Sequence, residues 1–379
     1  MNKKTSDHKS QITDHRSPLI FLTTGGTGGH VYPAESLATE LKRRGYRVGF
    51  ITDTRGKKNG KGKLFEIRNF AVLAGALVGK SKWFKIKNLF KTAIGTLQCI
   101  AILLKNKPAC VVGFGGYAAF PCCAAAILLG VKLVIHEQNS VMSRTNRFLA
   151  KRAALIAKSF TKTSHIPKNV KTVMTGMPVR KAIIDICNRA YPKLGAKDQF
   201  KILVMGGSQG AQIFSTVIPG AIKLLDKTTQ KRIKIYHQCR TEDQGEAKKL
   251  YKGMETEVIL KPFFDNMPEI FKEIHLIITR AGASTMAEVM AVGIPSILIP
   301  LPIAADNHQY YNSLEVIDTK GGVMIDQKDF TTETLSGLLK GYISNHNELK
   351  TLAANTKKVG ITDAAERLAN AIETNILKK

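Results

Sequence analysis

The 379 residues carry 57 lysines and arginines against 29 aspartates and glutamates, a formal net charge of +28, and 44% of them are hydrophobic. That length exceeds one ordinary core and that apolar share excludes global disorder, so two domains are expected. The charge suits nucleic acid, an anionic membrane or an acidic substrate, or a lysine-rich surface without special meaning, and alone it selects none of them.

In chain order, residues 1–17 are polar, lack the apolar core of a signal peptide, and are expected to form a disordered extension. From Leu19 onward short apolar runs alternate with amphipathic stretches. Strands are predicted at residues 19–23, 47–52, 109–113, 132–136 and 154–157, with helices at 33–44, where Pro33 suits a first turn, and at 83–104. The second half repeats the pattern, with strands at 200–205, 233–237, 257–260, 276–279 and 296–300 and helices at 210–225, 283–292 and 307–318. Such alternation predicts an α/β chain of two parallel sheets covered by helices, divided near residues 175–180 into 18–177 and 178–362. A last helix at 363–377 could pack on either domain by sequence alone.

No run unites about 20 residues with the uninterrupted apolarity of a spanning helix, so a soluble or peripheral protein is expected. The six cysteines, Cys99, Cys110, Cys122, Cys123, Cys187 and Cys239, lie mostly in apolar stretches without a C-x-x-C pair and read as free buried thiols.

Two glycine-rich turns carry the chemistry. Gly25-Gly26-Thr27-Gly28-Gly29-His30 follows the first predicted strand, and Gly206-Gly207-Ser208-Gln209-Gly210-Ala211 follows the strand at 200–205. Glycine lets backbone approach a ligand closely, and the helix N-terminus behind each turn offers unpaired N–H groups to an anion. Neither turn fits G-x-G-x-x-G and the chain has no Walker A motif, which disfavours dinucleotide oxidoreductases and P-loop NTPases.

His30 projects from the first turn, and a histidine titrating at about 6.5 can accept a hydroxyl proton at neutral pH. A capping or substrate-orienting role is the alternative. His136-Glu137-Gln138-Asn139 ends a strand at the carboxyl edge where open α/β sheets bind ligands, and four successive polar residues are not expected in a core. Ser284 and Glu288, four apart after Arg280-Ala281-Gly282-Ala283, share a helical face near its N-terminus, where Glu288 could accept from a vicinal diol or simply complement the helix dipole. In Asp306-Asn307-His308-Gln309, Asp306 reads as an N-cap and the Gln309 amide as free for a sugar hydroxyl. Residues 80–91 interleave Trp83, Phe84, Ile86, Leu89 and Phe90 with Lys85, Lys87 and other lysines, which suits an interfacial membrane anchor or a core-facing helix with a solvated lysine face.

Taken in order, GGTGGHVYPA (25–34), FGGY (114–117), HEQN (136–139), TGxPVR (175–180), GGSQGA (206–211), RAGAST (280–285) with Glu288, and DNHQ (306–309) resemble the MurG family, the UDP-N-acetylglucosamine:lipid I N-acetylglucosaminyltransferases of peptidoglycan synthesis. The resemblance runs over nearly everything from Leu19 to Leu377. It implies a GT-B fold of two Rossmann-like domains facing a cleft, with the final helix (363–379) packing back on the N-terminal domain. It implies an inverting transfer of N-acetylglucosamine from UDP-N-acetylglucosamine to the muramyl 4-hydroxyl of lipid I, giving lipid II, with no essential metal and no further cofactor. A related GT-B enzyme acting on another membrane lipid is the alternative.

Carried onto this chain, the resemblance implies that Thr27, Gly28 and Gly29 approach donor phosphates and acceptor and that His30 is the base or acceptor-positioning group. It further implies that Asn139 contacts the transferred sugar, Arg180 and Ser208 hold the diphosphate, and Phe264 lines the uracil site by its backbone. Ala283, Ser284, Thr285 and Glu288 then hold phosphate and ribose, and Gln309, with His308 beside it, the sugar hydroxyls. The implied partners are UDP-N-acetylglucosamine, lipid I, an anionic phospholipid surface touched by Trp83, Phe84, Lys85, Ile86 and Lys87, and other cell-wall synthesis proteins. The implied location is the cytoplasmic face of the bacterial inner membrane. No nucleic-acid-binding module is recognisable. Met177, Ala119 and Ser215 stand where the family usually has Asn, often has Ser and commonly has Asn.

Overall fold

The computed structural model describes residues 17–25, 28–59, 63–76, 81–195, 197–207 and 210–378. Gly26, Thr27, Ser208 and Gln209 of the glycine turns lie outside the described residues, as do residue 80 at the start of the segment 80–91 and the N-terminal extension up to residue 16. Among the described residues are two parallel sheets. The first comprises β1 (Leu19–Thr23), β2 (Arg47–Asp53), β3 (Asn69–Val72), β4 (Cys110–Gly113), β5 (Lys132–Glu137), β6 (Leu155–Lys158) and β7 (Thr172–Met174), in the spatial order β3-β2-β1-β4-β5-β6-β7. The second comprises β8 (Phe200–Met205), β9 (Ile233–Gln238), β10 (Glu257–Lys261), β11 (Leu276–Thr279), β12 (Ser296–Leu298) and β13 (Gly322–Met324), in the order β10-β9-β8-β11-β12-β13. These are the two Rossmann-like sheets the alternation predicts.

Central strands are apolar throughout because helices cover both faces of a parallel sheet; all five residues of β1 and all four of β4 and β11 are buried. Strands β3, β7 and β13, which the sequence did not reveal, are edge strands of three or four residues with mostly half-buried side chains. β7 and β13 are too short to show an apolar run, whereas β3 lies in the apolar stretch 70–74 and went unread beside the glycine-rich residues that follow. In both sheets the order reverses beside the first strand in sequence, β1 or β8, and each glycine turn follows that strand. This is the switch point where ligands lodge in open α/β sheets.

By Cα proximity the chain divides into two units. The first holds the described residues up to Ile135, with Arg152–Leu155 and those from Ala369 on; the second holds His136–Lys151 and Ile156–Leu368. In the first unit the chain's last turns are tied by Glu373, which accepts from Arg44 at 2.6 Å and from the Tyr46 hydroxyl at 2.9 Å, and by Lys132, whose Nζ donates to the Ile376 carbonyl at 2.9 Å. All six cysteines are free and buried.

Two expectations need correction. The first helix spans Gly28–Arg43, so Pro33 lies inside it, beyond the first turn, and its missing amide removes one i→i−4 bond. The helix Lys82–Asn106 has 25 residues and is, by length and composition alone, long and apolar enough to cross a bilayer. Scattered lysines and polar residues hid that from a search for an uninterrupted run.

The same helix inverts ordinary amphipathicity. Its buried stripe is Asn88, Thr92, Gly95, Cys99 and Leu103, whereas Trp83 (81% exposed), Phe84, Ile86, Leu89, Phe90 (66%), Ile94, Leu97 and Leu104 face outward. Polar bonds hold the inner stripe: Asn88 Nδ2 donates to the Ala76 carbonyl at 2.8 Å and Thr92 Oγ1 accepts from Gly75 N at 3.3 Å, while the exposed Gln98 beside it accepts from Leu73 N through Oε1 at 2.9 Å. Gly95 is required there because a Cβ would collide with the Leu73 carbonyl oxygen.

Candidate functional site

In the first unit, His30 stands half-buried on the opening turn of Gly28–Arg43. Its imidazole lies beside Gly116, where an added Cβ would come within 3.7 Å of Cδ2 and Nε2, and φ of +78° at that residue independently favours glycine. The FGGY turn is fixed by Tyr117, whose hydroxyl donates to Asp53 Oδ2 at 3.2 Å while Arg55 lies 5.5 Å over its ring. The sequence thus brings His30 and the FGGY turn together from segments some 85 residues apart.

The second unit gathers the remaining motifs. His136, Glu137 and Gln138 are buried, contrary to the expectation that four polar residues in a row avoid the core. Hydrogen bonds make this tolerable. Glu137 accepts from Asn139 N and Ser143 N, each at 3.0 Å, and from Asn146 Nδ2 at 2.7 Å, while His136 Nε2 lies 3.1 Å from the Gly176 carbonyl. Burial pushes the Glu137 carboxyl up and these donors pull it back. Asn139, at the end of this array, stays half-buried.

Ala283, Ser284 and Thr285 form the first turn of Ala283–Val292 after the cap residue Gly282. Glu288 pairs with Arg180: Nε and Nη2 both lie 2.8 Å from its Oε1. Two contacts on one oxygen leave Oε2 for a further donor. Burial raises the Glu288 carboxyl above its ordinary value, and Arg180 opposes that rise. Arg280 plays a structural part that the motif alone did not show: buried, it donates from Nη1 to the carbonyls of Ile299 (3.1 Å) and Pro300 (3.2 Å) and from Nη2 to Gln327 Oε1 (2.6 Å).

The segment after β12 corrects two expectations. Asp306 is not an N-cap; it sits at φ 52° beside Asn307 at φ 54°, and binds Arg147 at 2.7 Å and Arg144 at 3.5 Å. The Gln309 amide has its oxygen engaged, Oε1 accepting from Leu301 N at 3.0 Å, and only its nitrogen is without a partner among the described residues. His308 Nδ1 lies 2.8 Å from the Ala305 carbonyl, which directs Nε2 elsewhere. Phe264 is buried and sets its ring edge-on to Tyr236, the centroids 6.0 Å apart.

The family departures fall in packed positions. Met177 joins the core cluster that contains Phe264 and Ala287, Ser215 Oγ lies 3.2 Å from Cys239 Sγ, and Ala119 is buried before the helix Phe120–Leu128. Sequence reasoning missed Asn312, fully buried on the helix His308–Ile317, one turn beyond Gln309. Its only signal was an amide between Tyr311 and Leu314 on an otherwise amphipathic helix.

Residues 20–158 match the glycosyltransferase family 28 N-terminal domain and residues 201–368 the family 28 C-terminal domain. The UDP-N-acetylglucosamine--N-acetylmuramyl-(pentapeptide) pyrophosphoryl-undecaprenol N-acetylglucosamine transferase of Paramagnetospirillum magneticum is 42% identical, with 94% of this chain and 96% of that one aligned. The same-named protein of Rhizobium rhizogenes is 40% identical over 95% of this chain and 96% of its own. Among solved structures, Acinetobacter baumannii MurG aligns with a TM-score of 0.75 at 28% identity, covering 94% of this chain and all of that one. A glycosyltransferase of kitacinnamycin, at 14% identity and TM-score 0.71, shares the fold. The chain belongs to glycosyltransferase family 28, with the MurG transferases as its near relatives.

Proposed function

We infer that this chain moves N-acetylglucosamine from UDP-N-acetylglucosamine onto the lipid-linked N-acetylmuramyl-pentapeptide of peptidoglycan synthesis. The observation that carries this is identity of 42% over nearly the whole of a curated transferase, with the glycine turns and polar motifs quoted above in order.

Chemically, the muramyl 4-hydroxyl oxygen attacks the sugar's anomeric carbon as the bond to the β-phosphate oxygen breaks. UDP departs with the electron pair, and the hydroxyl proton passes to a base, for which His30 is the candidate. Attack opposite the leaving group inverts the centre to a β-1,4 link. Charge growing on the diphosphate would be met by Arg180 and by the helix N-termini behind the turn at 206–211 and at Ala283–Val292. That supply of positive potential supports a transfer needing no divalent cation. Glu288 would accept from the ribose diol through Oε2, and Asn139 and Gln309 would contact the transferred sugar.

The outward apolar face of Lys82–Asn106, with Lys85 and Lys87 beside Trp83, Phe84 and Ile86, supports peripheral docking on anionic phospholipid at the cytoplasmic face of the inner membrane, where a lipid-linked acceptor would be met. The decisive assay is UDP release from UDP-N-acetylglucosamine with and without a lipid I analogue, chelator present throughout. Release should require the acceptor, survive chelation, and fall about 100-fold or more in His30→Ala, the usual weight of a general base. Release only with a different lipid acceptor would overturn the assignment, and an unaffected His30→Ala would remove the base.

A further inference from the structure

We propose that Asn312 is a positioning residue for the donor sugar: it fixes Asn139 as a hydrogen-bond donor and ties three motif segments into one frame. Its Nδ2 donates to Asn139 Oδ1 at 3.2 Å and to the Ala281 carbonyl at 3.0 Å, and its Oδ1 accepts from Ser140 N at 2.8 Å. Both amide protons are spent, and the residue is fully buried, so it touches no ligand itself. Its orientation is not arbitrary. The backbone N–H of Ser140 can only donate and the carbonyl of Ala281 can only accept, which leaves one assignment of oxygen and nitrogen.

That assignment propagates. Asn139 must turn its oxygen inward to meet Nδ2 of Asn312, so its own Nδ2, without a partner among the described residues, is the end that remains. Gln309, one turn earlier on the helix of Asn312, is held the same way: its oxygen accepts from Leu301 N and its nitrogen remains. Two amides presented nitrogen-first select oxygen acceptors, such as hydroxyl and carbonyl oxygens on a hexosamine. Through Ala281 the same residue also ties down the turn that leads into Ala283–Val292.

This inference rests on the reading that Asn139 contacts the transferred sugar, and the test separates the two. In the full-length enzyme, kcat/KM for UDP-N-acetylglucosamine with a lipid I analogue and the Kd of UDP alone are measured for Asn139→Ala, Asn312→Ala and the double variant. Each single change should lower kcat/KM by about tenfold or more while UDP affinity stays within about twofold, because UDP carries no hexosamine. The double variant should be no more than about twofold worse than the poorer single one, since both changes remove the same oriented donor.

Losses that multiply, or an Asn312→Ala as active as wild type beside an impaired Asn139→Ala, overturn the role of Asn312 and leave the Asn139 reading intact. An unimpaired Asn139→Ala overturns that reading and the inference with it. UDP affinity falling in step with kcat/KM would show a general loss of structure and also overturn the proposal. If Asn312→Ala does not fold, Asn312→Asp carries the test: it keeps the volume and the acceptor for Ser140 N, loses both donors when ionised, and should show the same split between UDP-sugar turnover and UDP binding.

Discussion

Glu288 concentrates the residue-scale argument. A carboxyl with 13% side-chain exposure, gripped by Arg180 through one oxygen, is a carboxylate kept charged by its partner while burial favours the neutral acid. The charged form accepts hydrogen bonds from a diol more strongly than the neutral acid, whose proton also occupies one of its oxygens. Glu288→Ala should therefore weaken UDP binding by about tenfold or more in calorimetry, the scale of a lost charge-assisted hydrogen bond. The pH dependence follows from the sign of the shift. A raised carboxyl gains its proton at a pH above its ordinary value of 4.5, so affinity for UDP should decline on acidification before that value is reached. In Glu288→Gln this component of the acid limb should be absent, leaving titration of the nucleotide itself. An identical limb in both proteins would show that Glu288 does not face the ribose.

At this scale the sequence displayed residue types and spacing but not which end of an amide faces a ligand. Gln309 read as wholly free because nothing in DNHQ announces that Leu301 N occupies its oxygen. Asp306 read as a cap because strand-to-helix spacing suggests one, whereas two arginines from the helix Arg144–Ala150 hold it at positive φ. The buried Glu137 array was hidden for the same reason: partners nine residues away turn a polar run into a satisfied interior.

At the scale of elements, strands that form an unbroken apolar run were legible, and so was the edge strand β10 with its Val258-Ile259-Leu260, whereas the edge strands β3, β7 and β13 were not. The helix Lys82–Asn106 shows what periodicity alone conceals. Apolar residues at helical spacing normally mark the core side, but here Asn88, Thr92 and Gly95 take that side and hydrogen bonds replace apolar packing against the segment Leu73–Ala76. The displaced apolar side chains remain in water, a costly arrangement unless another phase covers them. Full burial of a large apolar side chain contributes about 1.5–3 kcal/mol, and each nearby lysine adds about 1 kcal/mol at an anionic surface. Trp83→Ala combined with Phe84→Ala should thus weaken sedimentation with cardiolipin-rich vesicles by about tenfold or more, while turnover of a soluble acceptor analogue is retained. Lys85→Glu with Lys87→Glu should abolish the preference for anionic over zwitterionic vesicles. Vesicle binding unchanged in both variants would assign the face to something other than lipid.

For the whole molecule, a net charge of +28 and two sheets of the same design pose the question of which part answers to nucleotide. The alternation of runs revealed both sheets, and the glycine turns revealed their switch points, but charge gave no ranking of partners. Apart from the turn at 27–29, the residues assigned to UDP, among them Arg180, Phe264, Ser284, Thr285 and Glu288, fall in the second unit, whereas the helix Lys82–Asn106 and His30 fall in the first. A ligand that binds only the folded state stabilises by about 2.7 kcal/mol at 100 times its Kd. For a unit of this size each kcal/mol moves the midpoint by about 2–4 °C. UDP at that excess should accordingly raise the melting of the second unit by about 5–10 °C. Amide exchange should slow around residues 176–182, 262–266 and 281–290 and stay unchanged along Lys82–Asn106. Protection spread evenly over both units would contradict that division. A midpoint indifferent to UDP, together with salt-sensitive binding of oligonucleotides, would instead make the positive charge a nucleic-acid surface and the glycine turns structural.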